Sequence, residues 1–224
     1  MIVRDADEDH FEVVDSIVEA HPASDHQAFL GYLQMPDVAV VTITLTEAAY
    51  LRGPDGHLAF DNAGVINDLR ALQANSTAPV ATLPAKLVAG LAARRAAGAG
   101  PITILSCDNL PHNGAVTATV VADLAERLDP GRAPWTGLAE WIGAEVDFAT
   151  SMVDRITPAT TDEDRAAVAE HQHSVDSSPV PTEPYSEWVI SGRFPAGRPA
   201  WDTAGARLVD DVTRYEQRKL WLLN

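Results

Sequence analysis

The sequence predicts an α/β fold built on a mainly parallel sheet with flanking helices. Residues 38–45, VAVVTITL, are β-branched almost throughout and carry apolar residues on both parities, as expected of a strand covered on both faces. Residues 102–106, ITILS, form a second short apolar run. Helical apolar spacing occupies residues 63–74 and 84–97 between these runs and residues 115–128 after them, and such alternation marks βα units.

Taken in order, residues 11–19 alternate loosely and read as a strand. The turn residues His21 to Asp25 then supply an N-cap for a helix over 27–34, whose apolar face is Phe29, Leu30 and Leu33. GPDG at 53–56, flanked by Leu51 and Leu58, reads as a turn in a small hairpin. The helix over 84–97 closes at Gly98 and Gly100. In the helix over 115–128, Val116, Val120, Val121, Leu124 and Leu128 recur at helical spacing. Beyond Pro130 the reading is a helix from about Trp135, a short strand and loop through DFATSMVDRITP, and a short acidic helix capped by Thr161 or Asp162. A proline-rich connector, a strand over 187–191, a loop and an amphipathic helix over 209–223 complete the chain. No repeat or low-complexity linker interrupts it, so the proline-rich connectors read as loops.

With 224 residues and 46% hydrophobic content, the chain has room for one large or two small domains around a substantial core. The formal charge of -16 excludes a phosphate-binding surface of the nucleic-acid kind, which needs Lys and Arg. No apolar run reaches the roughly 18 to 20 residues of a membrane helix, and the start MIVRDADEDH is acidic where a signal peptide is basic and then apolar. The expected location is the cytoplasm. Cys107 is the one cysteine, so no internal disulfide forms, and no Cys/His spacing fits structural zinc.

Ligands of doubly wound sheets bind beyond the carboxyl ends of the strands. Thr44 to Glu47 and Ser106 to Asn109 both follow strand candidates, so they are expected to share one crevice. The competing reading is that Asp108 or Asn109 caps the next helix. Cys107 reads as a packing residue, since a reactive thiol needs a neighbour that lowers its pKa. His171 and His173, two positions apart on an acidic helix, point to different faces and make a poor metal pair. Lys219 and Asn224 lie five positions apart in YEQRKLWLLN, where Leu220, Leu222 and Leu223 are expected to hold the helix against a core. A lysine partly buried there has the makings of a base, whereas alone it reads as a solvated charge.

TITLTEAAY, ILSCDNLPHNG, SMVDRITP, EPYSEWVI, FPAGRPAW and YEQRKLWLLN follow one another in an order that resembles the polyol-specific long-chain dehydrogenase/reductase family, which includes mannitol dehydrogenases and fructuronate reductases. The resemblance implies a Rossmann-type domain over residues 1–208 that binds NAD or NADP, and the start of a helical substrate-binding domain over 209–224. It implies zinc-free hydride transfer between the nicotinamide and a polyol, ketose or sugar acid. On this resemblance Lys219 is the general base or acid and Asn224 binds the reacting oxygen. Thr46, Glu47, Ser106, Cys107, Asp108 and Asn109 face the cofactor. Thr150 stands where the family carries a second oxygen-binding asparagine, and Ala48 and Ala49 replace a lysine and a glycine of the corresponding motif.

No Gly-x-Gly-x-x-Gly turn occurs in the chain. On the resemblance the sequence begins after the family's first βα unit and stops before its catalytic histidine and most of the helical domain. The expectation is a partial dehydrogenase with weak dinucleotide binding and impaired turnover. The rival expectation is a non-catalytic assembly module that docks with a companion chain.

Overall fold

A computed structural model describes residues 1–5, 8–128, 130–173 and 175–223, apart from the side chain of Leu223. In chain order the elements are β1 (Ile2–Arg4), β2 (Asp9–Phe11), α1 (His26–Leu33), β3 (Val40–Ile43), α2 (Ala63–Ala74), α3 (Leu83–Ala97), β4 (Ile102–Ser106), α4 (Asn113–Arg127), α5 (Leu138–Glu145), β5 (Val146–Asp154), α6 (Asp162–Gln172), β6 (Pro181–Thr182), β7 (Glu187–Ser191), β8 (Arg207–Leu208) and α7 (Thr213–Leu223). Short 3-10 turns lie at Glu47–Tyr50 and Trp201–Ala204. The expected α/β class is what forms. By contact the described chain divides into two compact units, residues 1–20 with 153–188, and residues 21–152 with 189 onward.

The smaller unit holds a sheet ordered β2-β1-β6, in which β1 pairs antiparallel with β2 and parallel with β6. Helix α6 begins at Thr161, whose hydroxyl accepts from the Asp164 amide while the Asp164 carboxylate accepts from the Thr161 amide. Asp164 also receives the Arg4 guanidinium. The expected strand over 11–19 is corrected here. Pairing covers only Asp9–Phe11, and residues 12–20 have no regular structure, with Val13, Val14, Ile17 and Val18 exposed. Loose alternation describes which residues are apolar, not whether a neighbouring strand is present to pair with them.

The larger unit carries the sheet ordered β3-β4-β5-β7-β8. β3 runs parallel to β4, with Ile43 opposite Ser106, and β4 runs parallel to β5, with Leu105 opposite Ala149. All five residues of β4 are buried, whereas β3 is an edge strand of which only Ile43 is buried. The expectation of a first strand covered on both faces is therefore corrected: composition set its type, but edge or centre is a matter of neighbours. β5 is nine residues long where only a short strand was expected.

Helix α3 lies at the centre of the core, in contact with α1, α2, α4 and α5. Its Gly90 is required by close approach, since a Cβ there would sit 2.9 Å from the Phe29 ring and 3.0 Å from Leu33. Arg94 of the same helix is wholly buried and donates to the carbonyls of Leu33, Met35, Ala99, Gly100 and Pro101. The guanidinium thus ties the end of α1 and the entry to β4 onto α3, satisfying carbonyls that the interior would otherwise strand.

The closing helix is corrected as well. α7 seats Tyr215, with Val212 just before it, against Met152 and Val189, while Leu220 and Leu222 are 51% and 77% exposed and Trp221 is 86% exposed. Leu220 and Leu222, expected to hold Lys219 against a core, therefore face solvent, the Leu223 side chain lies outside the described residues, and the anchor lies one to two turns earlier.

Candidate active site

Parallel pairing of β3 with β4 brings their carboxyl ends side by side, and the Cys107 amide donates to the Ile43 carbonyl at 2.8 Å. The two polar segments that follow these strands, 44–47 and 106–109, therefore lie at the same end of the sheet. On one side Thr46 opens the 3-10 turn Glu47–Tyr50, with Thr46 and Glu47 both exposed. Tyr50, at the end of that turn, is fully buried and donates its hydroxyl to Asp108 on the other side. Burial and that hydrogen bond push the Tyr50 phenol up to about 12, so it stays protonated and remains a donor.

Asp108 is itself buried and accepts from the Leu110 amide at 2.9 Å and from Asn113 Nδ2 at 3.4 Å. Neither Asp108 nor Asn109 caps α4, and that competing reading is set aside. The N-cap position belongs to His112, at φ 55°. Asn113 is the first helical residue, and its amide crosses to β5: Nδ2 donates to the Ser151 carbonyl at 2.9 Å and Oδ1 accepts from the Ser151 amide at 3.1 Å. Ser106 and Thr117 share a 2.7 Å hydroxyl contact, and Ser151 donates back to the Ser106 carbonyl at 2.7 Å. Gly114 allows this packing, because a Cβ there would lie 2.5 Å from the Phe148 carbonyl and 2.6 Å from the Thr150 hydroxyl.

Cys107 is half-buried, and burial pushes its thiol up to about 11. It stays a thiol at neutral pH, in keeping with packing rather than nucleophilic attack. Helix α7 reaches the same loop twice. Lys219 Nζ donates to Asn109 Oδ1 at 2.7 Å, and Glu216 accepts from the His112 amide at 3.1 Å.

The fold thus brings together Thr46, Glu47, Ser106, Cys107, Asp108, Asn109 and Lys219 at one end of the sheet, with Thr150 beside the start of α4. Thr46, Glu47 and Asn109 are exposed, whereas Ser106 and Asp108 are buried and engaged by the protein. Asn224 lies outside the described residues. In the smaller unit, His171 is exposed and stacks on Phe11 with centroids 4.3 Å apart. Sequence reasoning passed over Tyr50 and Ser151, and took Asn113 as a candidate cap for α4, whereas it is the first helical residue and joins the other two in holding the loop together. One unused signal pointed to Lys219: of the 16 cationic side chains only Lys86 and Lys219 are lysines, so a lysine is an unusual choice in this chain.

The profile of the mannitol dehydrogenase Rossmann domain matches residues 1–203. The chain belongs to the mannitol dehydrogenase family. It is 37% identical over 229 aligned residues to mannitol 2-dehydrogenase of Pyrenophora tritici-repentis, an alignment covering 100% of this chain and 39% of that protein. It is 40% identical over 190 residues to the oxidoreductase YeiQ of Escherichia coli, covering 84% of this chain and 37% of that one. Among solved structures it is similar to Pseudomonas fluorescens mannitol 2-dehydrogenase in ternary complex with NAD and D-mannitol, with a TM-score of 0.85, 36% identity, and coverage of 97% of this chain and 42% of that one. It is also similar to substrate-free D-sorbitol dehydrogenase, with a TM-score of 0.74 and 33% identity, covering 86% of this chain and 38% of that one. The chain spans about two fifths of the length of these members of the mannitol dehydrogenase family.

Proposed function

We propose that this chain is the nicotinamide-side part of an oxidoreductase that transfers hydride between NAD or NADP and a sugar alcohol, ketose or hexuronate. Family membership supports the reading, and the observation that carries it within the fold is the contact of Lys219 with Asn109 beyond the carboxyl ends of parallel strands. Residues 1–208 are assigned to dinucleotide binding and 209–224 to the start of a helical substrate-binding domain. A cytoplasmic location belongs to the same proposal.

The residues fit one end of a dinucleotide better than the whole. Thr46, Glu47 and Asn109 offer exposed polar groups for the nicotinamide side. For the pyrophosphate, the sequence has no Gly-x-Gly-x-x-Gly turn, and Gly114 at the start of α4 is committed to packing on β5. A bound nicotinamide supplies the hydride donor or acceptor. In alcohol oxidation the neutral amine of Lys219 takes the hydroxyl proton as the carbinol hydride leaves, and in ketone reduction its ammonium returns a proton to the oxygen. Thr150 and Asn224 are assigned to the reacting oxygen, where each hydrogen bond favours developing negative charge.

Without a Gly-x-Gly-x-x-Gly turn in the given sequence, NADH is expected to bind more weakly than micromolar by calorimetry, while millimolar NADH shifts the amide resonances of Thr46, Glu47 and Asn109. Resonances unmoved at that concentration would refute the cofactor reading. Any mannitol oxidation or fructuronate reduction is expected to fall at least about 10²-fold in Lys219→Met, and undiminished turnover removes Lys219 from the chemistry.

Exposed apolar side chains favour a second reading, in which the chain docks with a companion polypeptide. Val13, Ile17 and Val18 are 74%, 74% and 96% exposed in the smaller unit, and Trp221 and Leu222 are exposed on α7.

A further inference from the structure

We propose that Asn109 is the positioning residue of Lys219, and that the Tyr50–Asp108 pair holds Asn109 in place to do it. The inference rests on the dehydrogenase reading for the purpose of Lys219, but its geometry stands without that reading. Lys219 is carried by α7 and Asn109 by the loop after β4, 110 positions apart in sequence, and the 2.7 Å hydrogen bond from Nζ to Oδ1 joins them.

An exposed asparagine on a loop is free to turn away unless its backbone is held. Here the residue before it is buried and fixed from three directions. Asp108 accepts the Tyr50 hydroxyl from the β3 side, the Leu110 amide from its own loop, and Asn113 Nδ2 from α4, while Asn113 is locked onto Ser151 of β5. The turn after β3, helix α4 and strand β5 therefore together set where the Asn109 side-chain oxygen sits. A neutral amide oxygen accepts more strongly from an ammonium than from an amine, so it favours the protonated form modestly, but it orients the lysine nitrogen without adding the fixed negative charge that would hold it protonated far more firmly. Among the described residues, the charged groups near this contact include Asp108, next to Asn109 in the loop, Glu216, one turn earlier on α7, with His112 of the loop against it, and Arg218 adjacent to Lys219 in the chain.

The two-lysine composition makes a direct test available. In the intact chain, acetic anhydride labelling across pH 7 to 11, resolved by peptide mass spectrometry, reports Lys219 and Lys86 separately. Lys86, whose Nζ donates to the Ala23 carbonyl, serves as the internal reference. Asn109→Ala removes the Oδ1 acceptor, and Lys219 labelling is expected to rise about three- to tenfold with its pH profile moving down. Asn109→Asp keeps an acceptor but adds charge, so the profile moves up and labelling at a given pH slows. Tyr50→Phe, which loosens the loop and leaves the amide intact, shifts Lys219 in the Ala direction by a smaller factor. Lys86 is unchanged in all three.

Opposite shifts in the two Asn109 variants support positioning, because a merely structural loop residue would move both in one direction. A Lys219 profile unaltered in both variants, or Lys219 and Lys86 shifting together, overturns the inference. Neither readout needs cofactor or turnover. Thr46, Glu47 and Asn109 resonances unmoved by millimolar NADH, with Lys219 responding as expected, would count against the dehydrogenase reading alone, whereas NADH-induced shifts with Lys219 indifferent to Asn109 would count against positioning alone.

Discussion

His26 is buried at the start of α1, and among the described residues neither ring nitrogen has a hydrogen-bond partner. Burial, with Lys86 nearby, pulls its pKa below the ordinary 6.5, against a smaller opposing pull from Asp68. The unfolded chain then binds the proton more readily, so stability is present above about pH 6.5 and is lost as pH falls through the lowered value. His57, raised by its hydrogen bond to Asp123, has the opposite sign: its contribution is present below 6.5 and fades as pH rises through the raised value. Its imidazole is fully exposed to solvent screening and contributes little. Asp164, lowered by the Thr161 hydrogen bonds, acts only as pH falls below the ordinary carboxylate range. Urea titrations are therefore expected to show stability falling between pH 7 and 5, with His26→Leu flattening that slope. An unaltered slope would assign the loss elsewhere. These pairings were illegible in sequence, because a histidine's neighbours in space are not its neighbours in the chain.

At the scale of elements, the junction of α4 with β5 carries the site. Gly114 sits where no Cβ fits against the Phe148 carbonyl, and a backbone oxygen cannot swing aside as a side chain can. Gly114→Ala is expected to cost about 2 kcal/mol in chemical denaturation and to displace the start of α4. Loss of the Asn113–Ser151 hydrogen bonds would then appear as faster amide exchange at Ser151. Alanine tolerated with exchange unchanged would show that the junction is slack.

Helices α2, α3 and α4 and strand β4 were legible within a residue or two, since each combines strong periodicity with a clear stop, such as Gly98 in the left-handed conformation at the end of α3. Strands β1, β6 and β8, of two or three residues, were not legible, because so short a run has no period to read.

On the scale of the whole molecule, a charge of -16 works against the exposed apolar residues of each unit. Self-repulsion keeps copies apart at low ionic strength, and salt screens it over about 10 Å at 0.1 M. Light scattering is expected to report a mass that grows as salt rises from 10 to 500 mM, and Ile17→Lys with Val18→Lys is expected to suppress that growth. A mass independent of salt in the unsubstituted chain would show that the apolar residues do not drive association.

The motifs were enough by themselves to determine the family, the α/β class and the two polar segments at neighbouring strand ends, because local propensity and short polar runs are properties of neighbouring residues. Only the tertiary structure decided which strand is an edge, that Tyr50 closes on Asp108, and that Lys219 meets Asn109 while Leu220 and Leu222 face solvent. Those outcomes depend on groups brought together across tens of residues, and such proximity comes from packing, which no local pattern encodes.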